Sequence, residues 1–321
     1  MAFKLEQERI VLVLAVLLFA AFSFTVNNFL SPDNLLKLIR DVSVLGILAL
    51  GMAVVVVGRG VDLSMISIMA ISVAWSFSLV SSGSTTLGAV AAGFLFAVAM
   101  SLLTGFLVAY IEIPSLFATL AMGTFIYGIG HSQLVTADAV YMPAQFALAH
   151  AGSGRVAGIP TPVVLFGLAC ASIALVLRLT KAGRFFYAIG DNLAAARITG
   201  IPVRPMLLLQ YVISGGMAFV AGIVSATSVS SMNTRIVNST LVYDVILVVV
   251  LGGVGLSGGK GGVRNVVVGT LLIGILLNGM TILNIPYTIQ NIIKSLILLA
   301  AIIADGILNP RDEQTAQQGD I

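Results

Sequence analysis

Charge is what this chain lacks most. Only 9% of its 321 residues are Asp, Glu, Lys or Arg, against about a quarter in a soluble domain. Such a chain cannot cover a water-facing surface. Cysteine is almost absent: Cys170 is the only one, set in an apolar run. That excludes a disulfide framework and points to a packing role. No His/Cys spacing fits a metal site, and no metal or cofactor is expected. Nucleophile elbows and paired carboxylates are also missing, so membrane enzymology has no support. The net charge of +3 is small and scattered, which excludes nucleic acid as an expected partner.

What is present is oil. Hydrophobic residues make up 59% of the chain and the mean hydropathy is +1.09. The expected fold is all-α: one polytopic transmembrane domain over 1–321, surrounded by lipid, with about ten spans. The apolar segments are 10–28, 43–57, 64–82, 87–109, 115–136, 161–180, 206–227, 240–251, 265–284 and 289–306. Segments 43–57 and 240–251 are short and glycine-bounded, which predicts broken or re-entrant helices. Lys4 and Arg9 before the apolar run from Ile10 look like the start of a signal peptide. No clean small-residue cleavage site follows, so a retained first helix is expected.

The basic residues set the expected orientation. With the N-terminus inside, Lys4, Arg9, Arg59, Arg178, Lys181, Arg184, Arg197, Arg204, Lys260, Arg264 and Arg311 are cytoplasmic. Lys37, Arg40, Arg155 and Arg235 lie outside, and Lys294 near an outer end. Both termini then face the cytoplasm, and 136–160 is the longest external loop, suited to a gate or to facing a partner. The polar tail 310–321 is expected to be disordered.

An internal echo runs at a fixed offset. Val55-Val-Val-Gly-Arg-Gly-Val-Asp-Leu-Ser64 aligns with Val248-Val-Val-Leu-Gly-Gly-Val-Gly-Leu-Ser257. Internal repeats are common in transporter folds, but the span count puts both copies on one side, where an inverted repeat needs opposite sides.

Ionisable groups within spans are costly, so each is a candidate for function. Asp62 follows the Gly58-Arg59-Gly60 break, with Arg59 a candidate ion-pair partner, and Ser64 follows. Asp244 opens the segment after Leu241. Asp62 and Asp244 are candidates for capping at a helix break or for lining a pathway. Glu112 and His131 read as interfacial. The glycine cluster Gly252, Gly253, Gly258, Gly259, Lys260 resembles a phosphate loop. The pattern fails, because Val254 and Gly261 stand where Gly and Ser/Thr are needed. A turn that lets helices pack closely is expected there, as at Gly215, Gly216, Gly222, Gly269 and Gly274.

One polar island, 181–205, interrupts the apolar runs. Asp191 or Asn192 can cap a short helix. The following Leu-Ala-Ala-Ala-Arg197 propagates it, Gly200 suits a stop and Pro202 prevents continuation. The island is either a basic loop that orients the chain or a docking helix for a soluble partner.

Three of these stretches together resemble permease subunits of bacterial ABC importers of the ribose, xylose and galactoside type, kin to branched-chain amino acid permeases. They are Gly60-Val-Asp-Leu-Ser64, the loop from Gly183 to Ile201, and Tyr243 to Gly261. The chain departs from the family pattern at Arg59 and Asp191, where glycine is usual. The resemblance implies a permease that moves a monosaccharide across the inner membrane. Its partners would be a separate ABC ATPase, a second permease subunit and a periplasmic solute-binding protein. Gly190, Asp191, Asn192, Ala195, Arg197 and Gly200 would form the coupling helix. Asp62, Ser64, Asp244, Gly252, Gly253, Gly258, Gly259 and Lys260 would mark the pathway and its helix breaks. ATP hydrolysis would belong to another chain. An ion-coupled carrier or channel is the alternative, and an amino acid, nucleoside or sugar alcohol the alternative solute.

Overall fold

The computed structural model describes residues 7–308; Lys4, Arg311 and the polar tail lie outside them. Thirteen α-helices are present among the described residues: α1 (Gln7–Thr25), α2 (Pro32–Val57), α3 (Met65–Ser81), α4 (Thr86–Ala109), α5 (Ser115–Ile129), α6 (His150–Ser153), α7 (Thr161–Leu179), α8 (Lys181–Asp191), α9 (Leu193–Ile198), α10 (Val203–Val229), α11 (Leu241–Leu251), α12 (Val263–Ile282) and α13 (Tyr287–Leu308). Six of them, α1, α2, α4, α7, α10 and α12, are long and apolar enough to cross a bilayer. The helices α3, α11 and α13 are apolar but have shorter apolar stretches. The fold is that of an all-α, multi-pass membrane protein.

One expected short segment is not short. The helix over 43–57 starts at Pro32 and runs 26 residues. Lys37, Arg40 and Asp41 break the hydropathy but not the helix. Ser31 accepts the Asn34 N–H and Pro32 supplies a preset φ at the first turn. The segment 240–251 is short as expected, since α11 has 11 residues.

The centre of the bundle is α2, α3, α10 and α11. Every residue of α2 from Leu45 to Val57 is buried. The outer helices α1, α4, α7 and α13 expose Val16, Leu17, Leu95, Leu168, Leu175 and Leu296 instead. That is the distribution expected of a lipid-facing rim around a protein-facing core. Small residues set the close crossings. A Cβ at Gly215 would strike the Ser101 side chain of α4, and one at Gly269 the Val248 carbonyl of α11. Gly222 and Gly274 are similarly tight, whereas Gly216 has its nearest neighbour, Phe94, at 3.9 Å.

A neighbour pattern occurs twice. Helix α2 packs on α11 and α12, α10 packs on α3 and α4, and α3 meets α5 as α11 meets α13. Helices α2 and α10 are antiparallel: Gly51 lies against Ser214, while Gly58, farther along α2, lies against Gln210, farther back in α10. The two sets therefore run in opposite directions. The sequence echo does not mark this repeat, because it joins the ends of α2 and α11, which occupy different places in the pattern. What those ends share is a turn. The Arg59 and Gly60 N–H groups donate to Val56 and Val55; the Gly253 and Val254 N–H groups donate to Val250 and Val249. Both are Schellman turns, with Arg59 (φ 69°) and Gly253 (φ 93°) in the left-handed slot. These two ends also meet: the Gly259 N–H donates to the Val57 carbonyl at 2.9 Å.

The bundle thus has a glycine-loop end and an opposite end. The opposite end carries short strands, not the bare loop expected for 136–160. Strand β1 (Ala139–Tyr141) pairs antiparallel with β4 (Ser231–Asn233), and β2 (Arg155–Val156) with β3 (Ile159–Pro160). Asp138 ties this end together, accepting Arg235 at 2.7 Å and meeting His131 at 3.3 Å. The Arg235 guanidinium, followed by His131, holds the Asp138 carboxyl below its ordinary range.

Candidate functional site

The polar island folds as two helices joined at Asn192, which is extended and ends one helix as it caps the next. Thr180 starts α8 by accepting the Gly183 N–H, and Asn192 starts α9 by accepting the Ala195 N–H at 2.9 Å. Asn192, not Asp191, is therefore the cap. Gly200 sits at φ +80° just past α9, where a left-handed residue ends the helix. Helix α8 buries Gly183, Phe186, Ile189 and Gly190. Helix α9 buries only Ala196 and leaves Ala195, Arg197 and Ile198 exposed; Ile198 is 87% exposed. Composition alone did not single out Ile198.

Three elements separated in sequence converge beneath α8. Gly190 has no room for a side chain, since a Cβ would strike the Val57 carbonyl and lie 2.5 Å from the Gly259 nitrogen. The Tyr187 hydroxyl donates to the Gly261 carbonyl at 2.7 Å. Arg59 completes the joint. Its Nε donates to Gly190 at 2.7 Å and to Ser257 at 2.8 Å, and its Nη2 to the Asp191 carbonyl at 2.9 Å. Carbonyls at a helix C-terminus lack intrahelical partners and carry the negative end of the dipole, so a guanidinium suits them. Arg59 is accordingly a rivet between α2, α8 and the glycine loop.

The expected Arg59–Asp62 pair does not form. Asp62 is 1% exposed; its Oδ1 accepts the Ser64 N–H and hydroxyl, and its Oδ2 accepts Ser214 at 2.7 Å. It ties the start of α3 to α10, with Ser64 at the helix boundary. Asp244 lies at the other end, paired with the Lys294 ammonium at 2.8 Å, and Lys294 also donates to Thr240. Asp62 and Asp244 therefore do not share a site. Glu112 joins two arginines: Arg204 at 3.2 Å and Arg197 at 3.5 Å. Arg197 thus has a partner within its own chain. In the glycine loop, Gly253, Gly258 and Gly259 take positive φ, Asn265 donates to the Gly252 carbonyl, and Lys260 is exposed.

A cleft of about 790 Å³ opens at this end between α9, α10 and the turns at Gly58–Gly60 and Glu112–Ser115. A smaller cavity of about 290 Å³ lies at the opposite end, among Lys37, Arg40, Asp41, Asn278 and Asp244. Among the described residues, no group of three or more His, Cys, Asp and Glu is placed to hold a metal ion.

The chain thus presents an exposed helix on a riveted platform at one end of an apolar bundle. Residues 34–303 match the family model described as branched-chain amino acid transport system / permease component. The chain belongs to that permease family. It is 32% identical over 306 residues to the ribose import permease protein RbsC of Escherichia coli (strain K12), covering 95% of this chain and 94% of the relative. It is 33% identical over 303 residues to the L-arabinose ABC transporter permease protein AraH of Azospirillum brasilense, covering 94% and 88%. It is 31% identical over 283 residues to the galactofuranose transporter permease protein YtfT of Escherichia coli (strain K12), covering 85% and 79%. No solved structure matches this permease.

Proposed function

We propose that this permease is the membrane-spanning subunit of an ATP-driven ABC importer for a monosaccharide. Two permease subunits enclose the pathway. ATPase subunits dock on the glycine-loop end, and a solute-binding protein delivers sugar at the strand end. The sugar assignment rests on the ribose, arabinose and galactofuranose permeases to which nearly the whole chain is similar. The orientation rests on charge. Arg9, Arg59, Arg178, Lys181, Arg184, Arg197, Arg204, Lys260 and Arg264 lie at the glycine-loop end, against Lys37, Arg40, Arg155, Arg235 and Lys294 toward the other. The basic excess belongs on the cytoplasmic side.

The observation that carries the docking proposal is α9. It is capped at both ends, exposes Ile198 and Ala195, and stands on α8, which Arg59 fastens to the ends of two central helices. Gly190 and Asp191 serve the platform, while Asn192, Ala195, Arg197 and Gly200 shape the knob. A push on α9 then moves packed helix ends between discrete arrangements. Hydrolysis resides in the partner. The test is reconstitution in liposomes with the companion ATPase and binding protein. ATP-dependent accumulation of D-ribose, L-arabinose or D-galactose is the expected result. Accumulation without the ATPase, abolished by an uncoupler, would instead establish an ion-coupled carrier.

A further inference from the structure

Two neighbouring polar side chains on α10 are buried beneath the cleft, and the amide nitrogen of one has no hydrogen-bond partner. Gln210 and Tyr211 are each 1% exposed. Gln210 Nε2 has no bonding partner within the chain, and the Tyr211 hydroxyl has only the Ser115 side chain beside it. Both line the cleft, close to Ser115. A buried amide left unpaired is destabilising, and an apolar side chain of the same shape would be the more stable choice there. Packing therefore does not account for the Gln210 amide.

We propose that Gln210 and Tyr211 form a binding site for the hydroxyl groups of the passing solute, at the floor of the cleft. The proposal rests on the importer reading above and adds the groups that the sugar meets on the way in. The chemistry suits a neutral polyol. An amide offers two donors and an acceptor, and a phenol one of each. Ser115, whose oxygen accepts the Val61 N–H at 3.3 Å, stands beside the Tyr211 hydroxyl and extends the row of hydroxyls. Asp62, one turn away, is already saturated by Ser64 and Ser214, so the floor does not present it as a free charge.

The site is shut in this state, and its cover is visible. A Cβ at Gly58 would strike the Gln210 amide, and one at Gly60 would lie 2.9 Å from the Tyr211 hydroxyl. The turn between α2 and α3 thus lies directly on the two groups, and glycines at 58 and 60 are what allow it. Arg59, between them, is bonded to the end of α8. Movement of α8, which the permease samples without its partners, draws the turn with it and uncovers the amide and the phenol.

The experiment is saturation-transfer NMR of D-ribose, L-arabinose and D-galactose at millimolar concentration with the whole permease in lipid nanodiscs. Wild type is compared with the Gln210→Met/Tyr211→Phe variant, and the melting temperature of each is measured. The expected result is transfer to at least one sugar in wild type, lower by about fivefold or more in the variant, with the melting temperature unchanged or raised. Equal transfer in the two proteins, no transfer in wild type, or a destabilised variant would each overturn the proposal. The assay contains no ATP and no ATPase, so its outcome is separate from whether uptake is ATP-driven.

Discussion

Replacing Arg59 separates two opposing effects at one residue. The side chain makes hydrogen bonds to three backbone carbonyls, two of them shared by Nε. Counting the shared pair once leaves two charge-assisted bonds, each contributing about 1.5 kcal/mol. Their loss costs about 3 kcal/mol. Against this, Arg59 holds φ 69°. Glycine is favoured over alanine in that conformation by about 1 kcal/mol, after its extra unfolded-state entropy is counted. Arg59→Ala loses the bonds and keeps the strain, so it is destabilised by about 3 kcal/mol. Arg59→Gly loses the bonds but relieves the strain, so it is destabilised by about 2 kcal/mol. Chaotrope unfolding of the permease in nanodiscs should rank wild type first, Arg59→Gly second and Arg59→Ala last. Arg59→Ala as stable as wild type would show that the rivet contributes nothing. Arg59→Gly below Arg59→Ala would show that the strain argument is wrong.

Two further outcomes follow from buried or paired charges. Asp244→Asn leaves the Lys294 ammonium, 6% exposed, without its counter-charge; it should cost about 3–5 kcal/mol, and Asp244→Leu with Lys294→Met should recover most of the loss. Equal stability of Asp244→Asn and wild type would exclude a strong pair. At the strand end, Asp138 has its proton affinity lowered by Arg235. A depressed carboxyl contributes stability that is present above its unfolded pKa, near 3.8, and is lost as the pH falls through the lower folded value. Protease cleavage within 136–160 should therefore rise on acidification below that range in wild type. The Asp138→Asn variant should be cleaved readily already at neutral pH.

Much of the fold is written in local signals. Apolar runs locate the long spans, the Asn192 cap and the Gly200 stop bound α9, and Gly252–Gly253 ends α11. The start of α2 is hidden because hydropathy registers Lys37, Arg40 and Asp41 as a break, whereas the backbone there is governed by Ser31 and Pro32. The site is less legible. Arg59 and Asp62 are near in sequence, but Arg59 reaches carbonyls 131 and 198 residues away. Glu112 and Arg204 stand 92 residues apart, Asp244 and Lys294 50 apart. Such partners depend on helix packing, to which neither propensity nor spacing points. The echo between 55–64 and 248–257 misleads for a physical reason. Schellman turns favour the same residues wherever a valine-rich helix ends, whether or not the two ends are equivalent.

We propose α9 as the docking knob for a separate ATPase. Ile198→Glu tests it most directly, because this side chain is 87% exposed and supports no core packing. The variant is co-expressed with the companion ATPase, and the amount of ATPase purified with the permease is compared with wild type. The expected result is loss of the ATPase while the permease keeps its melting temperature. Full retention of the ATPase, with ATP-driven uptake unchanged, would contradict it.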